Sequence, residues 1–205
     1  MTTPAVGFDL DLTLLDTRPG IAAAYRALTA ATGVYVDVDT VVSRLGPLLR
    51  TEMQNWFPPE QVDEAVEAYR SLYSEYAISL SPPLPGAVEA LAETRAAGLR
   101  VVVVTGKYGP LARQHLEHLG MEVDELVGEL FAEEKATALT AHGAELYVGD
   151  HVADMVAART AGIPGLGVTT GSHDADELRA AGADLVVADL TGFPQALRRL
   201  MRLAL

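Results

Sequence analysis

The chain has 205 residues, with 28 Asp and Glu against 15 Lys and Arg, a formal net charge of −13. It has neither a basic surplus nor a basic run, which excludes a surface that reads nucleic-acid phosphates by displacing counterions. The absence of Cys removes disulfides, thiol nucleophiles and thiolate metal sites, and leaves carboxylates and His as the available metal ligands.

With 49% hydrophobic and only 21% charged residues, the chain has enough apolar surface to offset the entropy of folding. No apolar run approaches the roughly 20 residues that span a bilayer. Met1 to Val6 carries no basic leader. The expectation is a cytoplasmic protein, monomer or homodimer, with no nucleic-acid partner and no membrane contact.

In chain order, Ala5–Phe8 reads as a buried strand. The stretch from about residue 17 to residue 81 then shows helical spacing over Gly20–Thr32, Thr40–Leu45, Leu48–Trp56 and Glu60–Ser79, with Val34–Val38 as a short extended link. It ends at Ser81-Pro82-Pro83-Leu84-Pro85-Gly86, which cannot continue a helix and reads as a hinge. Beyond it, short Val/Leu runs at Leu99–Val104, Asp124–Val127, Leu146–Val148, Gly165–Val168 and Leu185–Val187 predict strands. They alternate with helical segments such as Ala87–Ala97, Pro110–Leu119 and Met155–Ala161, each followed by Gly. This alternation predicts an α/β fold, a Rossmann-like doubly wound parallel sheet with an inserted α-helical domain. The expected boundaries are 1–16 and 82–205 for the core and 17–81 for the helical insert.

Four elements carry chemistry. Asp9 and Asp11 follow the first strand in Asp9-Leu10-Asp11-Leu12-Thr13. Two carboxylates this close repel unless a cation holds one ionised while the other works as an acid or base; the plain alternative is an Asx turn. Asp150 and Asp154 lie in Gly149-Asp150-His151-Val152-Ala153-Asp154, at a strand end and in the next helical turn. There they can converge on a hard cation such as Mg²⁺, or Asp154 can merely complement a helix dipole. Thr105-Gly106 offers a hydroxyl and an amide for an anion. Lys135, beside Glu133 and Glu134, is a cation whose role depends on the other three. In an open doubly wound sheet, ligands bind outside the carboxyl ends of the strands, and three of these elements follow directly on strands. Carboxylate pair, metal pair, anion grip and cation together suit phosphoryl transfer.

The order D-x-D-x-T, strand-Thr, Lys, strand-G-D-x-x-x-D resembles the haloacid dehalogenase-like (HAD) hydrolase superfamily. More narrowly it resembles the phosphoglycolate-phosphatase-like branch, with a helical cap after the first motif. The resemblance implies that Asp9 is the nucleophile and a Mg²⁺ ligand. It makes Asp11 the general acid and base, its backbone carbonyl binding the metal. Thr105 and Gly106 would hold the phosphoryl oxygens, Lys135 would balance charge, and Asp150 and Asp154 would serve the metal. The chain departs from the family pattern with Leu12 where Gly is usual, Gly106 where Asn is frequent, and no Pro after Lys135.

Asp11 favours a phosphatase over a dehalogenase, whose members lack an Asp two residues after the nucleophile. The expected activity is hydrolysis of a small phosphorylated metabolite through an aspartyl-phosphate. The alternatives are a phosphomutase or pyrophosphatase of the same superfamily, or a catalytically idle binding protein on the same fold. Within the insert, Arg44 and Arg50 flank Gly46 and could receive a distal anion of the substrate, with Arg18 and Lys107 as further contacts. Tyr69, Tyr73 and Tyr76 read as cap core. His151 reads as a solvent-facing residue at a helix start.

Overall fold

The computed structural model describes residues 3–201. The strands are β1 (Ala5–Phe8), β2 (Arg100–Val104), β3 (Glu125–Val127), β4 (Ala144–Gly149), β5 (Gly165–Val168) and β6 (Leu185–Val187). They form one parallel sheet in the order β3-β2-β1-β4-β5-β6. The winding reverses between β1 and β4, so the crevice at their carboxyl ends is the topological switch point.

The helices are α1 (Arg18–Thr32), α2 (Val38–Ser43), α3 (Leu49–Met53), α4 (Val62–Tyr76), α5 (Ala87–Ala96), α6 (Gly109–His118), α7 (Glu133–Ala141), α8 (Val152–Ala161), α9 (Ala175–Ala181) and α10 (Phe193–Leu200). None is long and apolar enough to cross a membrane among the described residues.

Strand alternation sorts the core onto the two sheet faces. Val6, Phe8, Val101, Val103, Leu146 and Val148 point to the face covered by α5, α6 and α10, where Phe8 and Phe193 pack with ring centroids 5.4 Å apart. Ala5, Val102, Val104 and Tyr147 point to the face covered by α7 and α8. Burial on both faces explains why these strands read as continuous apolar runs.

The segment between β1 and Pro82 has its own apolar cluster, built on Tyr25, Leu28, Met53, Val66, Tyr69 and Tyr73, and this cluster reaches Leu111 on α6. The predicted helix over Leu48–Trp56 is shorter, Leu49–Met53, and the predicted Glu60–Ser79 helix is α4 flanked by two single turns of 3₁₀ helix. Pro58 and Pro59 force the break before α4, since neither can donate to a helical ladder. The predicted link over Val34–Val38 ends one residue earlier: residues 34–37 form no strand, and Val38 opens α2, which Asp37 caps. The two crossings between sheet and insert run side by side: the Asp16 amide donates to Pro82 and the Leu84 amide to Leu14, both at 2.9 Å.

Candidate functional site

The loops after β1, β2 and β4 converge on one cleft, which also meets α1, α3 and α4 of the insert. Asp9 follows β1 directly. Its Oδ1 accepts from the Leu10 amide at 2.8 Å and lies 3.3 Å from Lys135 Nζ. Lys135 is buried and donates to Asp154 Oδ1 at 2.7 Å. Glu133 and Glu134 of the same helix are exposed, so the charged run divides between solvent and site.

Asp150 is buried after β4, and its Oδ1 accepts from the Thr13 hydroxyl at 2.8 Å. Asp154 Oδ2 accepts from the His151 amide at 3.1 Å, and its Oδ1 is 3.3 Å from the Tyr147 hydroxyl. Both Asp154 oxygens are therefore engaged by the protein. Gly149 has no side chain because a Cβ there would overlap the Asp154 carboxylate.

One carboxylate oxygen from each of Asp9, Asp150 and Asp154 lies within 4.8 Å of the others, and all three residues are buried. Burial raises the Asp9 carboxyl to about 7; Lys135 pulls it down, and Asp154 and Asp11 push it up. Burial likewise drives Asp150 well above the ordinary carboxylate range, reinforced by Asp154 and Asp9. Three ionised carboxylates against one ammonium leave two uncompensated negative charges, the charge of one divalent cation. A hard cation with few carboxylate ligands and several waters fits this set, and the arrangement is unfavourable without one.

Asp11 belongs to a separate pair. Lys107 Nζ donates to its two oxygens at 3.0 and 3.3 Å and lies 4.3 Å from the Tyr73 ring centroid. Burial alone would raise Asp11, but the Lys107 charge and hydrogen bond outweigh it and hold the carboxyl below its ordinary value. The Tyr73 hydroxyl is 2.9 Å from His115 Nε2. Burial lowers His115 to about 4, with the Lys107 charge adding to the effect. Thr105 is buried at the end of β2, and its hydroxyl accepts from the Lys107 amide at 3.2 Å; Gly106 lines the cleft beside it.

The structure thus brings together Asp9, Asp11, Thr105, Gly106, Lys135, Asp150 and Asp154. It does not bring Arg50 there: Arg50 pairs with Asp63 on the outer surface, at 57% and 78% side-chain exposure. Arg44 lines the cleft but is held by Glu52, with Nε and Nη2 donating at 3.0 and 2.7 Å. Glu52 also accepts from Trp56 Nε1 at 2.6 Å. Arg18 is tied to Asp16 at 2.7 Å. His151 is half-buried and lines the cleft, where its Nδ1 accepts from the Ala153 amide and caps α8. Tyr69 and Tyr73 pack in the apolar cluster of the insert, as expected, and also line the cleft, whereas Tyr76, expected there too, is exposed at the end of α4.

Sequence reading gave no role to Glu52 or Tyr147 and ranked Lys107 as a minor contact. An acid four residues before Trp56, on a helix otherwise buried through Met53, was the available signal for Glu52. Tyr147 and Lys107 meet their partners only across the sheet or across the cleft.

Leu12 adopts φ +58°, the left-handed region, in the tight turn where the family usually has Gly. Its amide donates to the Leu15 carbonyl at 2.8 Å, so the turn forms despite the Cβ, which costs about 1–2 kcal/mol.

A model of haloacid dehalogenase-like hydrolases matches residues 6–168. A probable phosphatase, IndB, from Dickeya dadantii is 32% identical over 96% of both chains. A phosphoglycolate phosphatase from Caulobacter vibrioides is 28% identical over 93% of this chain and 89% of its own. A solved structure from Clostridium acetobutylicum, described as a predicted phosphatase, superimposes with a TM-score of 0.82 at 27% identity, covering 98% of this chain and 100% of that one. The matched region contains Asp9, Asp11, Thr105 and Asp150 on the loops after β1, β2 and β4, Lys135 on α7 and Asp154 in the first turn of α8, and the chain belongs to the haloacid dehalogenase-like hydrolase family.

Proposed function

We propose that the protein is a Mg²⁺-dependent phosphatase that hydrolyses a small phosphate monoester in the cytoplasm through an aspartyl-phosphate on Asp9. The observation that carries this reading is the cluster of buried Asp9, Asp150 and Asp154 balanced by Lys135 alone. The phosphatase names of its relatives support it.

Asp9 and Asp150, with the Asp11 carbonyl, would hold the cation. Asp154 orients Lys135 and the loop amide of His151. The cation, when bound, supplies positive charge to the phosphoryl oxygens and to the attacking carboxylate. Lys135 keeps Asp9 ionised, the form that attacks phosphorus. As the Asp9 oxygen bonds to phosphorus, the ester P–O bond breaks; Asp11, which Lys107 otherwise holds ionised, would take up a proton as the substrate draws that lysine onto its own phosphoryl oxygens, and would give the proton to the leaving oxygen. Asp11 then takes a proton from the water that attacks the aspartyl-phosphate, which releases Asp9 and inorganic phosphate. Thr105 and the Gly106 amide hold the phosphoryl oxygens. Residues 17–81 act as a cap that excludes bulk water during these steps.

A screen of small phosphate esters with and without Mg²⁺ tests the reading. Phosphate release is expected only with the metal. Asp9→Asn is expected to abolish it, and Asp11→Asn to lower turnover by about 10²–10⁴, the usual worth of general acid–base help. Equal activity in Asp9→Asn and the wild type would overturn the proposal.

A further inference from the structure

The cleft is lined by three cationic side chains among the described residues, Arg44, Lys107 and Lys135. Each already has a carboxylate partner. Lys135 sits between Asp9 and Asp154, Lys107 grips Asp11, and Arg44 makes a bidentate pair with Glu52, which Trp56 holds in place. The first two pairs lie at the reacting end. Among the described residues Arg44 is the one Lys or Arg that the segment between β1 and Pro82 contributes to the cleft lining, and Glu52 offsets its charge. Around it the cap side is apolar or aromatic: Ile21, Tyr25, Val41, Leu45, Leu49 and Tyr69. An anionic group entering here would meet no free cation and would face the Glu52 carboxylate. An apolar group would lose nothing by leaving water.

We propose that this cleft selects phosphate monoesters with an uncharged, largely apolar leaving group and rejects those whose leaving group ends in a carboxylate, the Arg44–Glu52 pair being the element that sets the choice. This rests on the phosphatase reading above, and the following experiment separates the two.

Isobutyl phosphate and 2-phosphoglycolate are near-isosteres that differ in charge at the far end. Their kcat/KM values are to be measured with Mg²⁺ on the wild type, with acetyl phosphate as a small activated control and Asp9→Asn as the blank. At least a tenfold preference for isobutyl phosphate is expected. Equal rates, or a preference for 2-phosphoglycolate, would overturn the selectivity while leaving a phosphatase. No release above the blank from any of the three would overturn both. Glu52→Gln keeps an acceptor for Trp56 but frees the Arg44 charge, and it is expected to move the ratio about tenfold toward 2-phosphoglycolate. An unchanged ratio in a folded Glu52→Gln variant would also overturn the proposal. If that variant fails to fold, the wild-type comparison still decides.

Discussion

Asp11 and Lys107 form a nearly buried pair that ties the first motif to the loop after β2. Replacing Lys107 by Met leaves the Asp11 charge without its partner, a change that costs about 3–5 kcal/mol where a buried pair is broken. Urea unfolding is expected to show a loss of that order, and the double variant Lys107→Met/Asp11→Asn to recover most of it, since neither charge then remains.

The carboxylate cluster makes a second residue-scale prediction. Asp9 moves from 3.8 when unfolded to about 7 when folded, so its contribution to stability is fully present below pH 3.8 and lost as pH rises to about 7; Asp150 shifts in the same direction. A bound divalent cation replaces the missing protons. Mg²⁺ at a hundredfold excess over its pH 8 Kd is therefore expected to add about 2.7 kcal/mol of stability at pH 8, and at the same concentration to raise Tm less at pH 5. Thermal scans at both pH values check this, and Asp150→Asn is expected to remove the shift. At this scale Asp9, Asp11, Asp150 and Asp154 were legible because a motif fixes which loop carries each. Arg50 was misread because an Arg on a short helix gives no sign of the direction it faces, and Asp63 draws it outward.

The elements near the switch point explain why the motifs sit where they do. Three of the four follow a strand of the sheet centre, with Lys135 on α7 as the exception, and the β1, β2 and β4 ends lie side by side. The Pro-rich segment predicted as a hinge runs antiparallel to the exit from β1, and Leu15 bridges to Pro83. It leads into Gly86, at φ +81°, where an added Cβ would fall inside contact distance of the Leu190 and Thr191 backbone. Gly86→Ala is expected to cost about 3 kcal/mol, left-handed strain together with overpacking against backbone that cannot yield. Its Tm in a thermal scan measures this. The strands and most helices of the core were readable from period and Gly caps. The short helices between Val38 and Met53 were not, because their ends depend on packing against α1 and α4 rather than on local propensity.

Over the whole molecule, an ion pair links the helical insert to the sheet domain outside the carboxylate cluster. Arg70 on α4 reaches Glu129 at 2.5 Å and stacks 3.8 Å from the Tyr108 ring centroid. Glu129 is half exposed, so the pair adds little to global stability, within about 1 kcal/mol. It joins α4 of the insert to the loop after β3, so under the cap role proposed above it would bear on closure instead. Arg70→Ala is expected to leave Tm within about 4 °C and raise KM several-fold, which steady-state kinetics and a thermal scan together check.

The net charge of −13 fits this picture: excess acid is unfavourable for polyanions at the surface, while inside the cleft every lining cation already has its carboxylate. The sequence by itself determined the α/β class, the helical insert and the acidic motifs, because strand and helix periods and motif spacing are local properties of the chain. Only the tertiary structure decided that Lys107 serves Asp11, that Glu52 neutralises Arg44 and that Arg50 faces away. Ion-pair partners eight to ninety-six residues apart are chosen by which loops the sheet and the cap bring within a few ångströms, and no local pattern encodes that distance.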